Sequence, residues 1–212
     1  IYGERLKELS RSEDVISVEV YRSLAQLPVW WLGASIRYAQ STNENKPVFV
    51  LIESPYIPWN LVSLPEAELK VSIAGVVANG GQPWFAMYGP GVANFENWRA
   101  IGESFRKLGK LGEYLEKRER IKFAALLFSE RTVHLYGRNQ VESRYLDHFH
   151  GFYKALSQSH IPFDVIHDES IASFKTLEDY KVLALPNAAC LSRTDTSNIQ
   201  RFVNNGGGLV AT

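Results

Sequence analysis

Short apolar runs alternate with amphipathic stretches along most of the chain, which is the rhythm of parallel α/β architecture. Residues 15–21 are rich in β-branched side chains and predict a strand. Residues 24–40 predict helix, with Pro28 limiting where it can begin. After a polar turn at 42–45, the run Pro47-Val48-Phe49-Val50-Leu51-Ile52 is almost wholly apolar. It predicts a strand buried on both faces, and it ends at Glu53. A loop follows that contains Pro55, Pro58 and Pro65 and carries Tyr56, Trp59 and Asn60. Pro65 suits the first turn of a helix, Glu66 and Glu68 complement its dipole, and Leu69, Ile73, Val76 and Val77 form one face. Asn79-Gly80-Gly81 stops it. Residues 83–88 predict the next strand, Gly89-Pro90-Gly91 a loop, and Trp98, Ile101, Phe105, Leu108 and Leu115 one stripe of a long helix.

The charged stretch 116–120 reads as a boundary, giving two units, 1–118 and 119–212. The second opens with a strand at 123–128 and an irregular polar segment. A helix then places Tyr145, Phe149, Phe152, Tyr153 and Leu156 three and four apart. Strands are predicted at 163–166 and 181–185. Ser192 reads as a helix N-cap with Asp195 in the first turn, and Ile199, Phe202 and Val203 as the inner face of that helix. Gly206-Gly207-Gly208 follows it as a C-cap rather than a phosphate cradle, and residues 209–212 begin another strand. Repeated strand–helix–strand order predicts a small doubly wound, flavodoxin-like layer.

Charge narrows the partners. Lys plus Arg and Asp plus Glu number 23 each, so no net field draws the chain to nucleic acid or to an anionic membrane. The longest apolar runs fall far short of the roughly 20 residues that span a bilayer. A neutral molecule or another protein is the expected partner. One cysteine, Cys190, excludes an internal disulfide and a Cys-rich zinc site, and fits a reducing, cytoplasmic compartment. The first residue is Ile1 and the last strand stops as it begins, so both ends read as cuts in a longer polypeptide.

Glu53 is the sharpest chemical signal: an ionisable group closing an otherwise apolar strand. A carboxylate there could attack an anomeric carbon or activate water; the alternative is a loop carboxylate or a structural ion pair. Tyr56, Trp59, Trp84 and Tyr88 fall beside the same strand ends, where flat rings with a polar edge suit sugar faces, and Asn60 could hold a hydroxyl. Ordinary packing is the competing reading for each ring. Glu19, near the end of the first strand, either faces the same pocket or alternates outward. Cys190 has Ala188, Ala189 and Leu191 around it, with no glycine to relieve a nucleophile elbow, so it reads as a buried structural thiol. His148 and His150 point to different helix faces, and His134, His160 and His167 are scattered, so no metal set emerges and no cofactor is expected.

The segments "KPVFVLIESPYIPWN", "PEAELKVSIAGVVANGG" and "PWFAMYG" resemble the seventh strand, seventh helix and eighth strand of glycoside hydrolase family 42 β-galactosidases, which are (β/α)8 TIM barrels. The resemblance implies that Glu53 is the catalytic nucleophile and that a general acid Glu lies before Ile1. In that family Asn-Trp is common where this chain has Trp59-Asn60. From residue 121, "FAALLFS", "YLDHFHGFYKALSQSHIPFDVI", "YKVLALPNAACLS" and "RFVNNGGGLVAT" resemble the same family's trimerisation domain, whose fold is that of a class I glutamine amidotransferase. What this implies is part of a retaining glycosidase with a carbohydrate substrate, assembled as a homo-oligomer, a trimer by resemblance. Related glycosidases of the same architecture fit these segments too. A non-catalytic carbohydrate-binding or oligomerisation scaffold is the alternative.

Overall fold

The computed structural model describes residues 6–22, 26–42, 46–54, 62–87, 95–116 and 118–212. Two compact units divide them. The described parts of 12–40 and 45–119 form the first, and those of 1–11, 41–44 and 120–212 form the second. The second unit is therefore discontinuous in sequence.

In the first unit, strands β1 (Ile16–Val20), β2 (Val48–Glu53) and β3 (Gln82–Ala86) make a parallel sheet in the order β1-β2-β3. Strands adjacent in sequence are adjacent in space, joined by crossovers that contain α2 (Trp30–Thr42) and α3 (Glu66–Ala78); α1 (Leu6–Leu9) lies in the second unit. α2 begins just past Pro28. Pro65 caps α3 with an extended ψ of 143°, and Glu66 and Glu68 occupy its first turn. The chain leaves α3 through Gly80 at φ +87°, a conformation costly for a side chain with a Cβ. Ile16, Val20, Leu32, Ile36, Val48, Val50, Ile52, Ile73 and Val76 make the core between sheet and helices. The stripe expected on the next helix is divided: α4 (Phe95–Lys110) stops, and α5 (Gly112–Glu116) carries Leu115. α4 buries Asn97, Ala100 and Ile101, while Trp98 and Phe105 are exposed, so its inner face is rotated by about one residue from the apolar spacing.

In the second unit, β4 (Ala124–Phe128), β5 (Phe163–His167), β6 (Val182–Leu185) and β7 (Gly208–Ala211) form a parallel sheet ordered β5-β4-β6-β7. β4 is buried throughout because layers cover both faces. Ala125 and Leu127 join a core with Ile166, Ile171, Leu177, Leu183, Ile199 and Phe202. On the other face Phe128 meets Tyr145 and Phe149 edge-on, at 5.7 and 5.0 Å between ring centroids. The segment expected to be irregular is instead wound as π-helix over Thr132–Gly137 and Glu142–Leu146, with a 3₁₀ turn at Arg138–Gln140. It runs into α6 (Asp147–Gln158), then past β5 into the short α7 (Asp168–Ile171) and α8 (Phe174–Glu178). α9 (Arg193–Asn204) starts with a complete capping box: Ser192 Oγ accepts from the Asp195 N–H, and the Asp195 carboxylate accepts from the Ser192 N–H. α9 buries Ile199 and Phe202 but exposes Val203, correcting the inner face expected from the sequence.

Candidate functional site

Strand parity decides which side chains share a face of the first sheet. Val48, Val50 and Ile52 pack on the helices, so Phe49, Leu51 and Glu53 point the other way. Ile16 and Val20 set the same parity in β1, leaving Ser17 and Glu19 opposite the helices. Phe85, packed against the core and edge-on to Phe105 at 6.1 Å, does so in β3, leaving Trp84 and Ala86. The registers agree. Glu19 aligns with Leu51 and Leu51 with Trp84, forming one transverse row, while Glu53 aligns with Ala86 in the next row toward the carboxyl ends.

Glu53, Trp84 and Glu19 thus lie on one side of the sheet, away from the helix-packed core. From sheet dimensions, the Cα atoms of Glu19 and Glu53 are about 8 Å apart, close enough for two Glu side chains to serve one ligand. Trp84 exposes half of its surface there, whereas Glu53 is only 2% exposed. Glu19 is exposed. Continuing the β1–β2 register one step past Val20↔Ile52 sets Tyr21 alongside Glu53, a neighbour that the sequence reading did not single out.

Ser54 fixes the end of β2. Fully buried, it donates its N–H to the Ala86 carbonyl at 3.1 Å and accepts from the Leu64 N–H at 2.8 Å through its own carbonyl. Its Oγ accepts from Asn97 Nδ2 at 3.3 Å. The strand end carrying Glu53 is therefore tied to β3, to the chain entering α3 and to α4. Tyr56, Trp59, Asn60 and Tyr88, the remaining expected sugar contacts, lie outside the described residues.

The second unit concentrates charge at the carboxyl ends of β4 and β5. Burial works against the Arg131 guanidinium, but Asp168 and Asp195 outweigh it and hold Arg131 above its usual range. Its Nη2 lies 2.5 Å from Asp195 and 3.5 Å from Asp168, and its backbone N–H donates to Asp168 at 3.0 Å. Cys190 is a free thiol, half-buried rather than buried as its apolar neighbours had suggested. Its backbone N–H donates to Thr132 Oγ1 at 3.2 Å, and the tight turn before it uses Asn187 at φ 40° in place of glycine. Among the described residues no three His, Cys, Asp or Glu side chains are grouped to hold a metal ion, and no helix is long and apolar enough to cross a membrane.

Residues 123–212 match the family model of the beta-galactosidase trimerisation domain. No curated protein matches the chain in sequence. Among solved structures, the chain is similar to alpha-L-fucosidase isoenzyme 2 from Paenibacillus thiaminolyticus, at 18% identity and TM-score 0.72, covering 100% of this chain and 32% of that one. It is similar to beta-galactosidase from Bacillus circulans sp. alkalophilus at 18% identity and TM-score 0.76, covering 97% and 33%. A beta-galactosidase from the psychrophilic Marinomonas ef1 aligns at 14% identity and TM-score 0.68, covering 97% and 37%. The chain spans about a third of the length of these proteins. It therefore resembles β-galactosidase-type glycoside hydrolases in sequence over 123–212 and in fold over nearly its whole length.

Proposed function

We propose that this chain is part of a retaining glycoside hydrolase, β-galactosidase-like in architecture, with Glu53 as its nucleophile. On this reading residues 1–118 are the last strands and helices of a (β/α)8 barrel. Residues 119–212, with an amidotransferase-like fold, assemble the protein into a homo-oligomer. One observation carries the proposal. Glu53 is a buried carboxylate at the carboxyl end of an apolar parallel strand, on the face turned away from the helices, which is where barrel enzymes keep their chemistry.

The chemistry asks for two carboxyl groups roughly 5 to 5.5 Å apart, one to form the glycosyl-enzyme bond and one to protonate the leaving group and then deprotonate water. Glu53 takes the first role, and the acid/base comes from outside this chain. Trp84 offers an exposed ring for a sugar face, with Tyr56, Trp59, Asn60 and Tyr88 as further contacts and Glu19, in the row of Trp84 and one row below Glu53, as a hydroxyl acceptor. In the full-length protein, Glu53→Gln should abolish hydrolysis of aryl glycosides without altering the fold. Glu53→Gly should regain turnover with azide as an external nucleophile. Near-wild-type activity in Glu53→Gln refutes the assignment, and failure of azide rescue in a folded, inactive Glu53→Gly variant reduces Glu53 to a positioning role. Glu19→Gln should raise KM more than it lowers kcat.

A further inference from the structure

The second unit contains a cavity of ≈ 490 Å³, within the range of small-molecule sites. It opens at the carboxyl ends of β4 and β5 and beside the N-terminus of α9, on the carboxyl-end side of the sheet where open α/β folds hold ligands. Glu130, Arg131 and His134 reach it from the segment after β4, His167 and Asp168 from the end of β5, and Asp195 from α9.

Its chemistry is one-sided. Among the described residues, Glu8, Glu130, Asp168, Glu169 and Asp195 are the carboxylates on its wall, and Arg131 is the one formal cation. Arg131 is already engaged by Asp168 and Asp195, and Glu169 at the rim is paired with Lys7 and Arg11. By formal charge, these described wall residues carry more negative than positive groups. The wall also holds buried polar atoms without a protein hydrogen bond: Asp195 Oδ1, His134 Nε2 and Asp168 Oδ1, the last 3.5 Å from Arg131 Nη2. His167, 3% exposed, has neither ring nitrogen in a protein hydrogen bond, although Glu130 lies 3.4 Å from its Nε2. Buried polar atoms of this kind are costly unless a partner arrives. His134 stands on a π-helical turn, a geometry frequent at functional sites.

We propose that this cavity binds a small organic cation bearing several N–H donors, an ammonium or guanidinium, held by Glu130, Asp168 and Asp195 and flanked by the rings of His134 and His167. The site is separate from Glu53 and does not depend on the glycosidase reading. The inference is one of binding, and no reaction is assigned to the site.

The test is calorimetric titration of the intact protein with agmatine, which carries both cations, against butylurea, its neutral counterpart. Agmatine should bind at least tenfold more tightly than butylurea. Glu130→Gln and His134→Ala, each checked for an unchanged thermal transition, should each weaken agmatine about tenfold. The inference is overturned if butylurea matches agmatine, if agmatine does not bind, or if both variants bind it like the wild type. Displacement of agmatine by equimolar Ca²⁺ also overturns it, because the site would then prefer a bare inorganic ion.

Discussion

Tyr145→Phe separates hydrogen bonding from packing in the second unit. Tyr145 is fully buried, and its hydroxyl is a relay: it accepts from the backbone N–H of Ser129 at 2.6 Å and donates to the Leu127 carbonyl at 3.2 Å. Phenylalanine keeps the ring edge-on to Phe128 and removes only the oxygen. The Ser129 N–H, at a fully buried residue, then faces a hydrocarbon edge. An orphaned buried donor costs about 1–3 kcal/mol, and the lost hydroxyl–carbonyl bond adds ~1 kcal/mol, so the expected destabilisation is roughly 2–4 kcal/mol. For a unit of this size each kcal/mol moves Tm by about 4–8 °C, giving a fall of roughly 8 to 32 °C. Thermal melts of wild type and variant, with urea titrations to check that the m-value is constant, measure it. A fall of under 2 °C at unchanged m would show that the hydroxyl relay contributes nothing to holding the end of β4.

Adjacent glycines after α9 should behave oppositely. A Cβ on Gly207 would lie 2.3 Å from the ring of buried Phe202, so Gly207→Ala should cost about 1–3 kcal/mol, while one on Gly208 meets nothing closer than 3.5 Å and Gly208→Ala should shift Tm far less; equal shifts in urea titration would refute this. Burial, only partly opposed by Asp147, depresses the His150 pKa, so the unfolded chain binds the proton more readily. The stability contributed by neutral His150 is therefore present above the unfolded pKa of about 6.5 and lost as pH falls through the folded value. His150→Asn should flatten that part of the stability–pH curve, and a curve superimposable on wild type would contradict it.

Much of this architecture can be read from periodicity, because each element answers to a local rule. The run ending at Glu53 is apolar since both faces of β2 are covered, and Ser192 and Asp195 announce α9 because a capping box is spelled within four residues. Misreadings arise where tertiary contacts choose between locally equivalent options. Trp98 and Phe105 hold helical spacing, yet α4 turns Asn97 inward, where it reaches Ser54. Residues 129–146 look irregular because π-helical winding carries no simple repeat. The cavity in the second unit was hidden for a different reason. His134 and His167 look scattered in sequence, and only parallel pairing of β4 with β5 brings the chain after Phe128 beside His167.

The sheet order of the second unit has a consequence during synthesis. β4 is made first yet sits in the middle, paired with β5 on one edge and β6 on the other. A nascent chain that has emerged only as far as β5 offers a bare apolar edge until Val182 to Leu185 arrive, and parallel partners cannot come sooner because each needs a crossover. Ribosome stalling or premature termination between those strands should leave a species that chaperones bind and that aggregates when they do not.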